Sequence, residues 1–179
     1  MIYFITGNKN KFQEAKRVMP ELEQLDIDLN EIQEMDSRKI IEEKLKEAFK
    51  HKKGEFIVED TSLSISSLNG LPGPLIKWFL KSLGNEGIYD IVKKTGNFDA
   101  EGKVTLGYAK DEKNIHYFEG KQNGKIVSPD FKTNFGWDPI FQPEGSNKSF
   151  AELREENPDF LSIRKIAFGK LKEFLENEK

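Results

Sequence analysis

The sequence predicts an α/β fold with a mixed, mainly parallel central sheet flanked by helices. The first half of the chain alternates short apolar segments with amphipathic ones, and the second half contains strand-like runs separated by short turns. The first pattern predicts parallel strands joined by helices, and the second adds antiparallel hairpins. We therefore expect one domain over residues 1–179, with two lobes and an active-site cleft between them.

The first half alternates strands and helices. In chain order the predicted segments are the strand Ile2–Thr6, the helix Lys9–Met19, the strand Leu22–Leu29, a helix from Ser37 to Lys52 and the strand Phe56–Thr61. Ser37 is the expected N-cap of the second helix because serine accepts a hydrogen bond from a free helical N–H. The last of these strands ends on two carboxylates, Glu59 and Asp60.

The second half predicts helices first and a hairpin next. The predicted segments are the helices Leu75–Leu83 and Glu86–Lys94, the strands Lys103–Lys110 and Ile115–Val127, a turn at Gln122–Gly124, a loop with a short strand over Thr133–Pro143 and a closing helix over Ser162–Asn177. Trp78 and Phe79 are expected to pack in the core.

Composition excludes several kinds of site. The chain has no cysteine and only two histidines, so disulfides, thiolate nucleophiles and cysteine- or histidine-rich zinc sites are excluded. A metal here must be held by oxygen ligands, which favours Mg²⁺, Ca²⁺ or Mn²⁺. The net charge of −3 disfavours a nucleic-acid partner. No apolar run is long enough to span a membrane, and no targeting pattern is visible, so we expect a cytoplasmic protein.

A candidate phosphate loop lies between the first strand and the first helix. It consists of Thr6, Gly7, Asn8, Lys9, Asn10 and Lys11. Free N–H groups at a helix start attract phosphate, glycine allows close approach, and the lysines add positive charge. The spacing differs from that of a Walker A loop. An ordinary turn with two solvated lysines has the same pattern.

The segment Glu59-Asp60-Thr61 supplies candidate acids at the end of an apolar strand. Such strand ends commonly border ligand clefts. Asp60 is a candidate magnesium ligand or general base, and Glu59 is expected to point to the opposite face. A pair of surface carboxylates at a turn is the alternative interpretation.

Three further candidates lie downstream. Lys77 falls in the first turn of a predicted helix, where a bound anion would relieve its conflict with the helix dipole. The segment Phe135-Gly136-Trp137-Asp138 combines aromatic rings with a carboxylate and suits a purine base, although a buried aromatic turn would also explain it. Arg164 is a candidate for binding phosphate or a base carbonyl, or it is an ordinary surface charge.

The order of these motifs resembles the inosine triphosphate pyrophosphatase (Ham1-like) family nearly end to end. The matching segments are TGNKNK, VEDTSL, LPGPLIKWF and FGWDPIF. This resemblance implies Mg²⁺-dependent hydrolysis of aberrant purine nucleoside triphosphates (ITP, dITP, XTP) to the monophosphate and pyrophosphate, by a homodimer.

The resemblance also implies roles for individual residues. Thr6 to Lys11, together with Lys44 and Lys77, would hold the triphosphate. Glu31 and Asp60 would bind the metal, Asp60 and Lys44 would act in catalysis, and Thr61 would touch the nucleotide. Phe135, Gly136, Trp137 and Asp138 would embrace the base.

The chain departs from the family pattern near its end. The usual Ser-His-Arg is Ser162-Ile163-Arg164, and a lysine that usually precedes it is missing from residues 156–161. Arg164 and backbone amides near Phe135–Asp138 then remain as the donors that would distinguish ITP from ATP. The competing functions are a Maf-like pyrophosphatase for modified pyrimidine or 7-methylated nucleotides, a nucleotide sensor without turnover, and an RNA binder.

Overall fold

A computed structural model of the chain describes residues 1–131, 133 and 135–178. Asn134, which falls in the loop predicted over Thr133–Pro143, lies outside the described residues. The described elements are β1 (Ile2–Ile5), α1 (Lys9–Val18), β2 (Glu23–Leu25), α2 (Ser37–His51), β3 (Glu55–Ile65), β4 (Pro72–Gly73), α3 (Ile76–Thr95), β5 (Asp99–Asp111), β6 (Asn114–Ile126), β7 (Phe141–Pro143), α4 (Phe150–Glu156) and α5 (Ile163–Asn177). Together they confirm the mixed α/β class.

The chain divides into two compact units. The first contains Met1–Asp60, Val104–Gly120 and the residues from Ser162 onward, and the second contains Thr61–Lys103 and Lys121–Leu161. The long strands β3, β5 and β6 contribute residues to both units. The assignment of residues 1–179 to one domain stays a prediction.

The first unit contains the parallel part of the sheet. β1 pairs in parallel with β2 and with β3, which confirms the predicted strand–helix–strand opening. Helix α2 presents Ile41, Leu45 and Ala48 at helical spacing, and they join a buried cluster with Phe56 and Val58 of β3. The packing of α2 on β3 fixes which residues of β3 the polar side chains of α2 can reach.

The second unit contains antiparallel pairs and an aromatic core. β3 pairs with β4, and β6 pairs with β7. Trp137, Phe141, Phe150 and Phe160 form a chain of ring contacts with centroids 4.8–5.9 Å apart. Helix α4, which the sequence analysis did not predict, begins with a reciprocal capping box between Ser149 and Glu152.

Three predicted boundaries were wrong. β3 does not end at Thr61 but continues to Ile65, because Leu63 and Ile65, which alternate with serines, are fully buried. β6 runs through the turn predicted at Gln122–Gly124. The strand expected over Leu22–Leu29 is reduced to β2.

Two side chains also differ from expectation. Asp36, rather than Ser37, caps α2 by accepting a hydrogen bond from the Arg38 N–H, so Ser37 is the first helical residue and its hydroxyl is used elsewhere. Trp78 is not in the core, since 45% of its surface is exposed. Among the described residues, no helix combines the length and apolarity needed to cross a membrane.

Candidate functional site

The loop between β1 and α1 is ordered by its own polar groups. Asn8 caps α1, accepting a hydrogen bond from the Lys11 N–H at 3.1 Å. The Asn8 N–H donates to the Thr6 hydroxyl at 3.1 Å, and the Thr6 carbonyl accepts from the Gln24 side chain at 2.8 Å. Residues 7–10 are exposed. The predicted phosphate loop therefore lies at a capped helix start and is open to an anion.

Lys11 is tied to the second motif through Glu59. Its ammonium lies 2.9 Å from Glu59 Oε1, with 30% of the lysine side chain and 3% of the glutamate side chain exposed. Burial alone would raise the pKa of the Glu59 carboxyl, but the Arg164 guanidinium and the Lys11 ammonium outweigh burial and hold this pKa well below its usual range. Glu59 is therefore a buried anion that positions Lys11.

Arg164 is the main partner of Glu59. Its Nε and Nη2 donate to the two Glu59 carboxylate oxygens at 2.6 and 2.9 Å, and its Nη1 donates to Glu14 Oε2 at 2.6 Å. The residue is 4% exposed. Ser162, the N-cap of α5, also donates its hydroxyl to Glu14. These bonds point to a supporting role for Arg164, in contrast to the direct contact with the nucleotide that the sequence analysis expects.

The backbone of β6 brings Arg164 to this position. A Cβ atom added to Gly120 would lie 1.9 Å from the Ile163 carbonyl oxygen, so only glycine allows the first turn of α5 to approach this closely. Ile163 is buried at the same contact, with 5% of its surface exposed.

Ser37, the first residue of α2, holds the Asp60 side chain. The Ser37 hydroxyl donates to Asp60 Oδ2 at 2.6 Å, and the two residues are 6% and 8% exposed. Burial raises the pKa of the Asp60 carboxyl above its ordinary value, while the hydrogen bond from Ser37 and the charge of Lys44 limit that rise. Asp60 and Glu59 have separate partners, as expected for neighbours on a strand.

Lys44 connects α2 to the same segment. Its ammonium donates to the Glu59 carbonyl at 3.0 Å and lies 2.7 Å from Glu31 Oε1. Lys44 is 8% exposed, whereas Glu31 is largely open to solvent. The structure thus brings together Lys11, Lys44, Glu31 and Asp60 of the predicted site around Glu59.

Asp60 and Glu31 are the carboxylates at the predicted metal site. Within the described part of the chain, no three histidine, cysteine, aspartate or glutamate side chains form a group that would hold a metal ion. Mg²⁺ commonly uses one or two carboxylates and completes its shell with water and substrate phosphates. Asp60 and Glu31, both within the electrostatic reach of Lys44, fit that requirement in their chemistry.

In the second unit, Trp137 is a core residue. It is 6% exposed, and its ring lies 5.3 Å from the Phe141 ring in an edge-to-face arrangement and 5.9 Å from that of Phe150. The alternative of a buried aromatic turn is therefore correct for this indole. Phe135 is only partly buried, with the Arg154 guanidinium 4.1 Å from its ring centre.

Asp138 and Gly136 have defined partners. Arg154 Nε donates to Asp138 Oδ2 at 2.8 Å, and Asp138 is 5% exposed. Gly136 is exposed, and its carbonyl accepts a hydrogen bond from the Asn85 side chain at 3.0 Å. The segment Phe135–Asp138 is thus held at Phe135 by the Arg154 guanidinium on its ring and at Asp138 by the ion pair with the same arginine.

The remaining predicted residues lie on β3 and α3. Thr61 follows Asp60 on β3 and is partly buried. Lys77 lies in the first turn of α3, as expected, as the second residue of the helix. It is exposed, and its ammonium lies 5.9 Å from the Trp78 ring centre. Sequence reasoning missed Glu14, Ser37, Asn85 and Arg154. Only Glu14 carried a signal, as a lone carboxylate beside Phe12 and Ala15 on the apolar face of α1.

Comparison with known proteins gives consistent matches. The chain matches the Ham1 family over residues 2–174. It is 42% identical to the inosine triphosphate pyrophosphatase of Schizosaccharomyces pombe, covering 99% of this chain and 96% of that protein. For the enzyme of the same name from Kluyveromyces lactis the identity is 40%, covering 98% and 96%. The Staphylococcus aureus Ham1 protein has the same fold, with a TM-score of 0.80 and 24% identity over the whole of both chains.

Proposed function

Because the chain belongs to the Ham1 family, we propose that it hydrolyses aberrant purine nucleoside triphosphates (ITP, dITP and XTP) to the monophosphate and pyrophosphate. Such a hydrolase clears these nucleotides from the cell's pool. The observation that carries the proposal is the pair of lysine ammonium groups, from Lys11 and Lys44, that contact Glu59 beside the buried acid Asp60.

The triphosphate is assigned to the loop Thr6–Lys11, with Lys44 and Lys77. The exposed backbone of residues 7–10 lies at the start of α1, where N–H groups and the helix dipole attract anions. Lys11 keeps part of its side chain exposed while Glu59 restrains its ammonium, so it is oriented before a phosphate arrives. Such preorganised cations stabilise the charge that develops on the leaving pyrophosphate.

Asp60 is assigned the role of proton acceptor for the attacking water. Burial raises its pKa, which makes the carboxylate a stronger base, and Ser37 restricts its orientation. Lys44 is placed by Glu31 and the Glu59 carbonyl to bind a phosphate oxygen. Mg²⁺ held by Asp60 and Glu31 would neutralise phosphate charge.

The base is assigned to the segment Phe135–Asp138. The partly buried Phe135 ring offers a stacking surface, the Asp138 carboxylate accepts from base N–H groups, and backbone N–H groups donate to a 6-oxo group. The 6-amino group of adenine would face those donors without an acceptor, which disfavours ATP. Thr61 touches the nucleotide, and Arg164 acts through Glu59.

Two finer assignments belong to the same proposal. The protein works in the cytoplasm as a homodimer, and its partner is a small nucleotide rather than a nucleic acid, in keeping with the net charge of −3. Size-exclusion chromatography with light scattering tests the dimer: a single species at the mass of one chain would contradict it.

A nucleotide panel with Mg²⁺ tests the activity. The protein is incubated with ITP, dITP, XTP, ATP, GTP and a 7-methylated nucleotide, and products are separated by anion exchange. We expect pyrophosphate and monophosphate in equal amounts from the first three. Stepwise release of phosphate would contradict the reaction, preference for the 7-methylated nucleotide would favour the Maf-like alternative, and binding without products would favour a sensor.

A further inference from the structure

Helix α3 is interrupted beside the base segment. Gly84, inside α3, has φ 67° and ψ 178°, which no helical residue adopts. This left-handed conformation is strained for every residue except glycine. A Cβ atom at Gly84 would meet nothing within 4 Å, so the glycine is required by its backbone angles and not by crowding. The interruption separates residues 76–83 from a second helical segment that follows Gly84.

Asn85, the next residue, uses its side chain in an unusual way. An asparagine at the start of a helical segment commonly accepts a hydrogen bond from a backbone N–H through Oδ1. Here Oδ1 is buried and has no hydrogen-bond partner among the described residues. The Nδ2 group instead donates to the Gly136 carbonyl at 3.0 Å, a residue 51 positions later in the chain. Leaving a buried acceptor unsatisfied is unfavourable, so the bond to Gly136 is retained at a cost in stability.

The Gly136 carbonyl is the part of the base segment that this bond restrains. The Phe135 carbonyl accepts from the Asp138 N–H and the Trp137 carbonyl accepts from the Ile140 N–H, so both belong to the local turn. Gly136 itself is exposed, with φ 56° and nothing within 4 Å of an added Cβ. The hydrogen bond from Asn85 therefore connects the most open residue of the segment to α3.

We propose that Asn85 is a positioning residue for purine recognition, which holds Phe135–Asp138 in its base-binding conformation through the Gly136 carbonyl. This inference rests on the proposed function, because the segment is assigned to the base there. It assigns no contact between Asn85 and the substrate. Loss of the bond should weaken binding of the purine base and leave the chemistry at the phosphates unchanged.

Kinetic measurements with ITP and with a phosphate ligand that lacks a nucleobase test the inference. In Asn85→Ala and Asn85→Asp, KM for ITP should rise about 3- to 10-fold while kcat changes less than about 2-fold, since one hydrogen bond is lost. The inhibition constant of inorganic tripolyphosphate, which has no base, should stay at the wild-type value. Ser82→Ala, an exposed change on α3, is the control. An unchanged KM for ITP, or equal shifts for ITP and tripolyphosphate, would overturn the proposal.

A measurement without turnover separates this inference from the proposed function. In a Trp78→Phe background, Trp137 is the only tryptophan and reports on the segment. Acrylamide should quench its fluorescence more strongly after Asn85→Ala and not after Ser82→Ala. Equal quenching in the parent and in Asn85→Ala would overturn the positioning role even if ITP is hydrolysed. Absence of pyrophosphate release by the wild type, by contrast, would contradict the proposed function itself.

Discussion

The two units hold their candidate site residues by different means. In the first unit, a chain of charges links Lys11, Glu59, Arg164 and Glu14 through contacts of 2.6–2.9 Å, and all but the partly exposed Lys11 are buried. In the second unit, Trp137 anchors the base segment in an aromatic cluster, and an ion pair joins Arg154 to Asp138. The first arrangement fixes the positions of charges, whereas the second fixes a shape.

This difference separates catalysis from stability. A buried ion pair often contributes little net stability compared with apolar packing of the same volume, but removing one partner leaves a charge uncompensated and costs about 3–5 kcal/mol. Truncating a large aromatic side chain costs a similar amount through the cavity it leaves. Changes in the first unit should therefore alter both folding and phosphate chemistry, and core changes in the second should alter folding while leaving the phosphate chemistry unchanged.

The largest effect is expected at Asp60. Asp60→Asn removes the proposed base while conserving size, so kcat for ITP should fall by about 10²–10⁴-fold. The far-ultraviolet circular dichroism should match the wild type. Asp90→Asn, an exposed change on α3, is the control and should retain full activity. Retention of more than a tenth of wild-type activity would exclude Asp60 as the key acid.

Removal of Arg164 is the next largest change. Arg164→Ala leaves Glu59 and Glu14 buried without their shared cation, so the free energy of unfolding in urea should fall by about 3–5 kcal/mol. Lys172→Ala, on the exposed side of α5, should change it by less than about 0.5 kcal/mol.

The same variant decides how Arg164 acts. If it positions Glu59 and Lys11, kcat/KM for ITP and for ATP should fall by the same factor. A selective loss of ITP activity would instead identify Arg164 as a direct donor to the base, as the sequence alone suggests.

Loss of a single phosphate-binding lysine should have a smaller effect. Lys11→Ala and Lys44→Ala should each lower kcat/KM for ITP by roughly 10- to 100-fold, as expected for a hydrogen bond to a charged group. Binding of free inosine, which has no phosphate, should be unchanged by calorimetry. Equal losses for both ligands would indicate a structural role for that lysine.

The last prediction concerns stability in acid, and it is the one with the smallest effect at neutral pH. The pKa of Glu59 is lowered on folding from an unfolded-state value of 4.5, so its contribution to stability is complete above that pH. It declines below pH 4.5, by up to about 1.4 kcal/mol per pH unit for the one proton involved, until the carboxyl is protonated in the folded state. Urea unfolding from pH 6 to pH 3 should show a steeper slope for the wild type than for Glu59→Gln. Identical slopes would contradict the assignment of Glu59 as a buried anion.

The sequence predicts the site residues of the first unit better than those of the second. Helix starts at Lys9 and at Ser162–Ile163 follow from local capping chemistry, so the positions of Lys11 and Arg164 on their helices were correct. Local patterns do not reveal partners, and the engagement of Arg164 by Glu59 and Glu14 depends on contacts 105 and 150 residues apart.

The aromatic residues illustrate the limit. Trp78 and Trp137 both lie in proline- and glycine-containing segments, yet the first is exposed and the second is buried. Side-chain periodicity is lost in such segments, so burial there depends on tertiary packing. The same limitation hid the continuation of β3 beyond Thr61, because the alternating serines of residues 62–65 resemble a loop.

Gly120 has a consequence for interpreting sequence variants of this protein. The residue has no functional group and is not assigned to any ligand, but the Ile163 carbonyl occupies the space that a side chain would need. Even a methyl group there would displace the first turn of α5. Arg164 is the residue after Ile163, so its guanidinium would move with that turn. A change from glycine at this position should therefore be classed with active-site lesions, although Gly120 lies outside every motif assigned to the substrate.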